Sequence, residues 1–370
     1  MALSPTIAYF ITPHGFGHAS RAAAVMQALA GMVPGIRFEL FTTCPRQIFT
    51  ASLETVFGYH PARTDIGLVQ TSPLSEDLVA TCRQLDRMLP FDGPLVDGLA
   101  GTIRRLNCRL VICDIAPLGI MAARRAGVPS ILVENFTWDW IYNGYLEAAP
   151  GLQPHIEYLA RIFRQADHRI QTRPLCRRVS DAFQAAPISR RVKTPRARIR
   201  AWLGIEGGDK MVLVSMGGVP DRFDFLSRLP GQIEPFLVIP GADGRSSPHP
   251  KVVLLPTHSD FYHPDLMAAA DALVAKAGYS TIAEAYQCGL PFGYVRRPQS
   301  PESDALENFI TRHLPAKAIP PGSYTDGTWI GALPDLLGMS RVEAPRENGA
   351  AQAARMIVQI LESQPVMLQQ

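Results

Sequence analysis

The chain has 370 residues, 47% of them hydrophobic and 19% charged, with a formal net charge of +3. That length and apolar share predict two domains with sizeable cores and exclude a disordered chain. The charge is too small for a nucleic-acid binder, and no run of about 18 apolar residues is present to span a membrane.

No basic segment followed by an apolar run marks a signal peptide at the start of the sequence. The six cysteines, at 44, 82, 108, 113, 176 and 288, form no C-x-x-C pair. They read as reduced residues of a cytoplasmic protein.

Thr6 to Ile11 reads as a buried first strand. A loop to His18 follows, then a helix from about Ala19 to Gly31 and a second strand from Ile36 to Thr42. Ser75 to Leu89 and Leu95 to Leu106 read as helices. Leu110 to Cys113 is another buried strand, ending at Asp114, and Ser130 to Val133 delivers Asn135 to a sheet edge. Strands alternating with helices predict βα units and a parallel sheet. This first domain spans 1–186.

Residues 187–200, PISRRVKTPRARIR, are rich in Arg and Pro and read as a linker with a solvated basic face. A second α/β series spans 201–345, with strands Met211 to Ser215, Phe236 to Ile239, Val252 to Leu255, Ala272 to Ala275 and Phe292 to Val295. The last helix runs from about Gly349 to Leu361 within 346–370.

Two loops draw chemistry. In the first, Gly15 and Gly17 of His14-Gly-Phe-Gly-His18 let the chain turn sharply after a strand, and His18 falls at a helix start. His18 is a candidate general base or a structural residue, with His14 as second candidate. Asp114 either caps the next helix or orients His18. Asn135, Trp138 and Asp139 either line a site for a sugar or lipid acceptor or belong to a helix start.

In the second, Gly217-Gly218 follows a strand, where backbone N–H groups can approach a phosphate. Ala277 to Ser280 then separates a strand from a helix, an arrangement that favours an anionic ligand. Thr281 and Glu284 have capping-box spacing, with Glu284 in the first turn. The other reading of Glu284 is a ribose acceptor beside a diphosphate. No H-E-x-x-H, cysteine cluster or Asp-x-Asp is present, so no metal site is expected.

Gly278, Thr281 and Glu284 form a G-x-x-T-x-x-E pattern. It resembles the nucleotide-sugar site of GT-B glycosyltransferases of the MurG and UDP-glycosyltransferase type. His14 to Arg21, Asn135 to Tyr142 and Val295-Arg-Arg297 resemble the N-terminal, glycosyltransferase-like half of plant L-arabinokinase. The resemblance runs from about Ile7 to the last helix. It implies α/β architecture: two Rossmann-like doubly wound parallel-sheet domains (GT-B) facing across a cleft, with the last helix packing back on the first domain.

It also implies a metal-independent, inverting, family 28-like transferase that needs no cofactor. A nucleotide diphosphate sugar, with UDP as the expected nucleotide, would be the donor, and a hydroxyl compound the acceptor. His18 would be the base. Tyr262 and His263 would lie beside the nucleobase, and Glu302 and Asn308 at the sugar hydroxyls. The loop Ser215-Met-Gly-Gly-Val-Pro220 departs from the G-G-S of MurG, and acidic residues replace the glutamines common in donor motifs. Two further readings stay open: an enzyme like UDP-N-acetylglucosamine 2-epimerase, and a non-catalytic nucleotide-sugar-binding module.

Overall fold

The structure, a computed structural model, describes residues 4–218, 220–343 and 347–363. Two compact units form. Met1–Val69, Asp77–Ser189 and Glu347–Gln370 make the first, and Gln70–Glu76 with Arg190–Arg346 make the second.

In chain order the first part runs β1 (Thr6–Ile11), α1 (Phe16–Met32), β2 (Arg37–Phe41), α2 (Arg46–Ser52) and β3 (Phe57–His60). A two-stranded hairpin follows, β4 (Gln70–Ser72) and β5 (Ser75–Glu76), then α3 (Leu78–Met88) and α4 (Gly93–Arg105). The first unit continues with β6 (Cys108–Asp114), α5 (Pro117–Ala126), β7 (Ser130–Glu134), α6 (Trp138–Asn143), α7 (Gln153–Phe163), β8 (His168–Thr172) and β9 (Phe183–Ala185).

Its seven strands are all parallel, in the order β3-β2-β1-β6-β7-β8-β9. Strand order reverses between β1 and β6. Such a switch point leaves a crevice at the carboxyl ends of the two strands, where α/β proteins bind ligands. β6 is buried along nearly its whole length because helices cover both faces, which is why it reads as one apolar run. Close packing needs small residues here. A Cβ on Gly119 of α5 would stand 2.6 Å from the Phe10 side chain and 2.7 Å from Cys113 Sγ.

The second unit runs α8 (Arg196–Trp202), β10 (Met211–Ser215), β11 (Phe236–Pro240), β12 (Val252–Leu255), α9 (His263–Ala269), β13 (Ala272–Lys276) and α10 (Tyr279–Cys288). It ends with β14 (Phe292–Val295), α11 (Ser303–His313), β15 (Ala316–Ile319), α12 (Pro321–Asp326) and α13 (Leu333–Leu337). The parallel sheet order is β12-β11-β10-β13-β14-β15, with the switch point between β10 and β13. The final helix α14 (Gly349–Ser363) belongs to the first unit, where Ala353, Ala354 and Ile357 share a core with α1.

Two sequence expectations change. Ser75 and Glu76 are strand, not helix, because the hairpin pairs with itself and anchors in the second unit through Leu74 and Glu76. The helix begins only at Leu78, where the Asp77 side chain caps it by accepting from Ala80 N. The basic stretch is not simply solvated. Arg196 and Arg200 bind Asp271, and Ile199 and Arg200 are buried in helix α8.

Candidate functional site

In the first unit the β1–α1 turn is made by Gly15, with φ of 75°, a left-handed value that glycine adopts without strain. Gly17 lies inside α1 instead of preceding it. His18 and Arg21, one helical turn apart, therefore share the α1 face beside the end of β6.

His18 Nδ1 lies 2.8 Å from Asp114 Oδ1. Asp114 is also forked by Arg21, whose Nε donates to Oδ2 at 2.7 Å and Nη2 to Oδ1 at 2.6 Å. Asp114 caps no helix: α5 starts after Ala116 with no side-chain cap. Burial would raise the Asp114 carboxyl, but Arg21 and His18 hold it below its ordinary range. Burial likewise lowers the His18 imidazole, only partly offset by Asp114. The result is a neutral imidazole beside an ionised carboxylate, a pairing able to take up a proton at the other ring nitrogen.

Asn135 is a brace in this cluster. Its Oδ1 accepts from Arg21 Nη1, and its Nδ2 donates to Thr172 and Pro174 carbonyls. His14 sits edge-on to Trp138, ring centres 5.1 Å apart, and its Nδ1 accepts from Leu68 N at 3.3 Å. Trp138 stacks on Tyr142 and meets Phe136, whose ring is edge-on to His18. Asp139 is not part of this cluster. It faces a separate cavity of about 590 Å³ lined by Phe163, Arg169 and Arg177 among others. The helix N-cap is Thr137, and it forms no side-chain cap bond.

In the second unit, Gly217 (φ 82°) and Gly218 follow β10, and Gly278 is the N-cap of α10. Both groups stand at the β10/β13 switch point. Lys276, the last residue of β13, lies beside them: a Cβ on Gly217 would stand 4.0 Å from its Nζ. Burial, aided by the Arg297 charge and opposed by Glu76, lowers the Lys276 ammonium to about 7.

No capping box forms at α10, because the helix begins at Tyr279 and no side chain caps Gly278. Glu284 therefore sits in the second turn, not the first. It is buried, with Arg190 Nε and Nη2 donating to Oε1 at 3.0 and 2.9 Å and His263 Nδ1 lying 2.8 Å from Oε2. Burial would raise its carboxyl, but Arg190 and His263 hold it down at about 2. Tyr262 caps α9, and the Arg190 and Lys193 cations lie 5.1 and 5.2 Å from its ring centre. Thr281 is half-buried in the first turn of α10.

Glu302 is buried and ion-paired with Arg297, which also binds Glu76 of the hairpin at 2.9 Å. Asn308 is exposed further along α11, and the fold does not bring it to Glu302. Among the described residues, no group of three or more His, Cys, Asp and Glu side chains is placed to hold a metal ion.

Sequence reasoning missed Arg21, Arg190, Lys276 and the Glu76–Arg297 pair. Two had signals: the His-x-x-Arg spacing of α1, and a lysine directly before the Ala277-Gly278 turn. Arg190 and Glu76 had none, since their partners lie 94 and 221 residues away.

No family model matches the chain. The chain is 28% identical over 310 residues to L-arabinokinase of Arabidopsis thaliana, covering 82% of this chain and 29% of that protein. It is 31% identical over 199 residues to the UDP-N-acetylglucosamine–N-acetylmuramyl-(pentapeptide) pyrophosphoryl-undecaprenol N-acetylglucosamine transferase of Streptomyces collinus, covering 50% of this chain and 51% of that one. The chain thus spans about half or less of the length of these curated relatives. Among solved structures, MurG of Acinetobacter baumannii matches with a TM-score of 0.56 and 15% identity, over 97% of this chain and 100% of that one.

Proposed function

We propose, from a chain with the GT-B glycosyltransferase fold, that it moves a sugar from a nucleotide diphosphate donor to an acceptor hydroxyl. The observation that carries this reading is the second-unit switch point. There a glycine turn, a helix N-terminus and Lys276 converge, and Glu284 is held ionised on the following helix. These are groups that suit a diphosphate and a ribose diol.

In this reading the donor belongs to the second unit and the acceptor to the first. UDP is the nucleotide we favour, since the Streptomyces relative is named for a UDP sugar. The acceptor oxygen attacks the anomeric carbon as the bond from that carbon to the diphosphate breaks. Its proton passes to His18 Nε2, while Nδ1–H stays on Asp114. The products are a glycoside of inverted anomeric configuration and free nucleotide diphosphate. Lys276 and the backbone N–H groups near Gly218 and Tyr279 take the leaving charge, so no cation is required.

An epimerase would need acidic groups facing the donor sugar. Glu302 and Asp304 are instead paired with Arg297 and Arg296. Product analysis with a UDP-sugar tests the choice. Acceptor-dependent release of UDP and an inverted glycoside supports transfer. A rearranged sugar formed without acceptor supports the epimerase, and binding without turnover across an acceptor panel supports a non-catalytic module.

A further inference from the structure

We infer that Arg21 is a positioning residue that keeps His18 neutral and in its Nδ1–H form by occupying both oxygens of Asp114. This rests on the proposed role of His18 as base, but its test needs no substrate.

Arg21 is 5% exposed, and its guanidinium spends all three nitrogens inside the cluster. Two grip Asp114, at 2.7 and 2.6 Å, and the third donates to Asn135 Oδ1. Asn135 is itself fixed by the Thr172 and Pro174 carbonyls. The planar fork therefore cannot rotate without breaking buried hydrogen bonds. Asp114 Oδ1 is left directed at His18 Nδ1, which must donate to it. Arg21 Nη2 also lies 3.2 Å from that ring nitrogen, but the Asp114 contact is the shorter at 2.8 Å, and an ionised carboxylate can only accept, so the proton belongs on Nδ1.

The buried charges also hold His18 neutral. Asp114 and Arg21 cancel, so adding a proton to His18 creates a net buried positive charge. Without Arg21 the same proton would neutralise a buried carboxylate. A bare His–Asp pair would thus be more basic, and more often already protonated, than this one. The other groups around Asp114 do not supply the missing positive charge. Burial pushes the Tyr9 hydroxyl and the Cys113 thiol up, so both stay neutral. Cys44 is pushed up to about 11, chiefly by burial. Asp65, held by the Thr12 hydroxyl at 2.6 Å, is raised to about 7, again chiefly by burial. Phe136, which carries no charge, turns its ring edge to the imidazole.

The test is a pH titration of the His18 ring nitrogens by NMR in the whole chain, with Asp65→Asn as background control. In the unsubstituted protein His18 should carry its single proton on Nδ1 and titrate below about 6.5. Arg21→Gln should raise the midpoint by about one pH unit or more, whereas Asp114→Asn should lower it. The opposed signs separate a charge-setting role from general loosening of the cluster. Arg21→Gln removes one partner of a buried pair, so folding is checked first by near-UV circular dichroism. If that variant does not fold, the unsubstituted protein still decides: a proton on Nε2, or an imidazolium at neutral pH, overturns the inference. So does a folded Arg21→Gln with an unchanged or lowered midpoint. None of these readouts depends on whether any sugar is transferred.

Discussion

Arg190 places two hydrogen bonds, at 3.0 and 2.9 Å, on one oxygen of Glu284. The other oxygen is met by His263 at 2.8 Å. A carboxylate offers about four lone-pair sites, so three of them are already used. A ribose diol binding at Glu284 must use the last site or displace Arg190 or His263.

Glu284→Ala should weaken UDP binding by about 1–3 kcal/mol, one ribose hydrogen bond being lost at the open site and a second where the diol displaces Arg190 or His263. It should also leave Arg190 buried without its carboxylate, so thermal stability is measured alongside. Calorimetry showing unchanged UDP affinity in a folded variant would remove Glu284 from the site. The carboxylate's stability contribution has a defined window. Its folded value lies near 2, below the ordinary 4.5, so the contribution is full above about pH 4.5 and is lost as pH falls through about 2.

Lys276 predicts proton uptake on donor binding. Near neutral pH its ammonium is partly deprotonated, and a diphosphate beside it favours the charged form. Calorimetry at about pH 8, in buffers of different ionisation enthalpy, should show up to one proton taken up per UDP. Lys276→Met should abolish that uptake and weaken binding. It should also flatten the pH dependence of stability. A lysine lowered from 10.5 to about 7 makes the unfolded chain bind more protons, so stability rises with pH across that interval. Equal proton uptake in Lys276→Met would show that another group meets the diphosphate.

Turnover should survive EDTA. In the proposed site, Lys276 and the α10 N-terminus would supply the positive charge that a cation supplies in a metal-dependent transferase. Complete loss on chelation, restored by Mg²⁺ or Mn²⁺, would assign the leaving-group charge to a metal instead.

The fold was legible because both sheets are wound from buried parallel strands that read as apolar runs, such as Met211–Ser215 and Ala272–Lys276. The geometry of the candidate site was legible where local structure sets it, at the glycine turns Gly15 to His18, Gly217-Gly218 and Gly278. It was not legible where one charge meets another across the fold. Asp114 looked like a helix cap or a partner of His18, but nothing in its neighbourhood announced the Arg21 fork. Glu302 looked available to a sugar, yet Arg297 joins it to a hairpin residue more than 200 positions earlier. Apparent capping spacing at Thr281 and Glu284 misled for a simpler reason. The glycine turn lets the helix begin at Tyr279, three residues sooner than the spacing requires.

The most direct measurement is turnover and donor affinity on one sample of His18→Ala, using a UDP-sugar and an acceptor hydroxyl compound that supports transfer by the unsubstituted chain. Removing a general base costs about 10²–10⁴ in rate. His18 and the Glu284 cluster stand on separate units, so the account predicts loss of that order in acceptor-dependent UDP release with UDP affinity nearly unchanged. Undiminished turnover in His18→Ala, or donor affinity falling in step with rate, would contradict it.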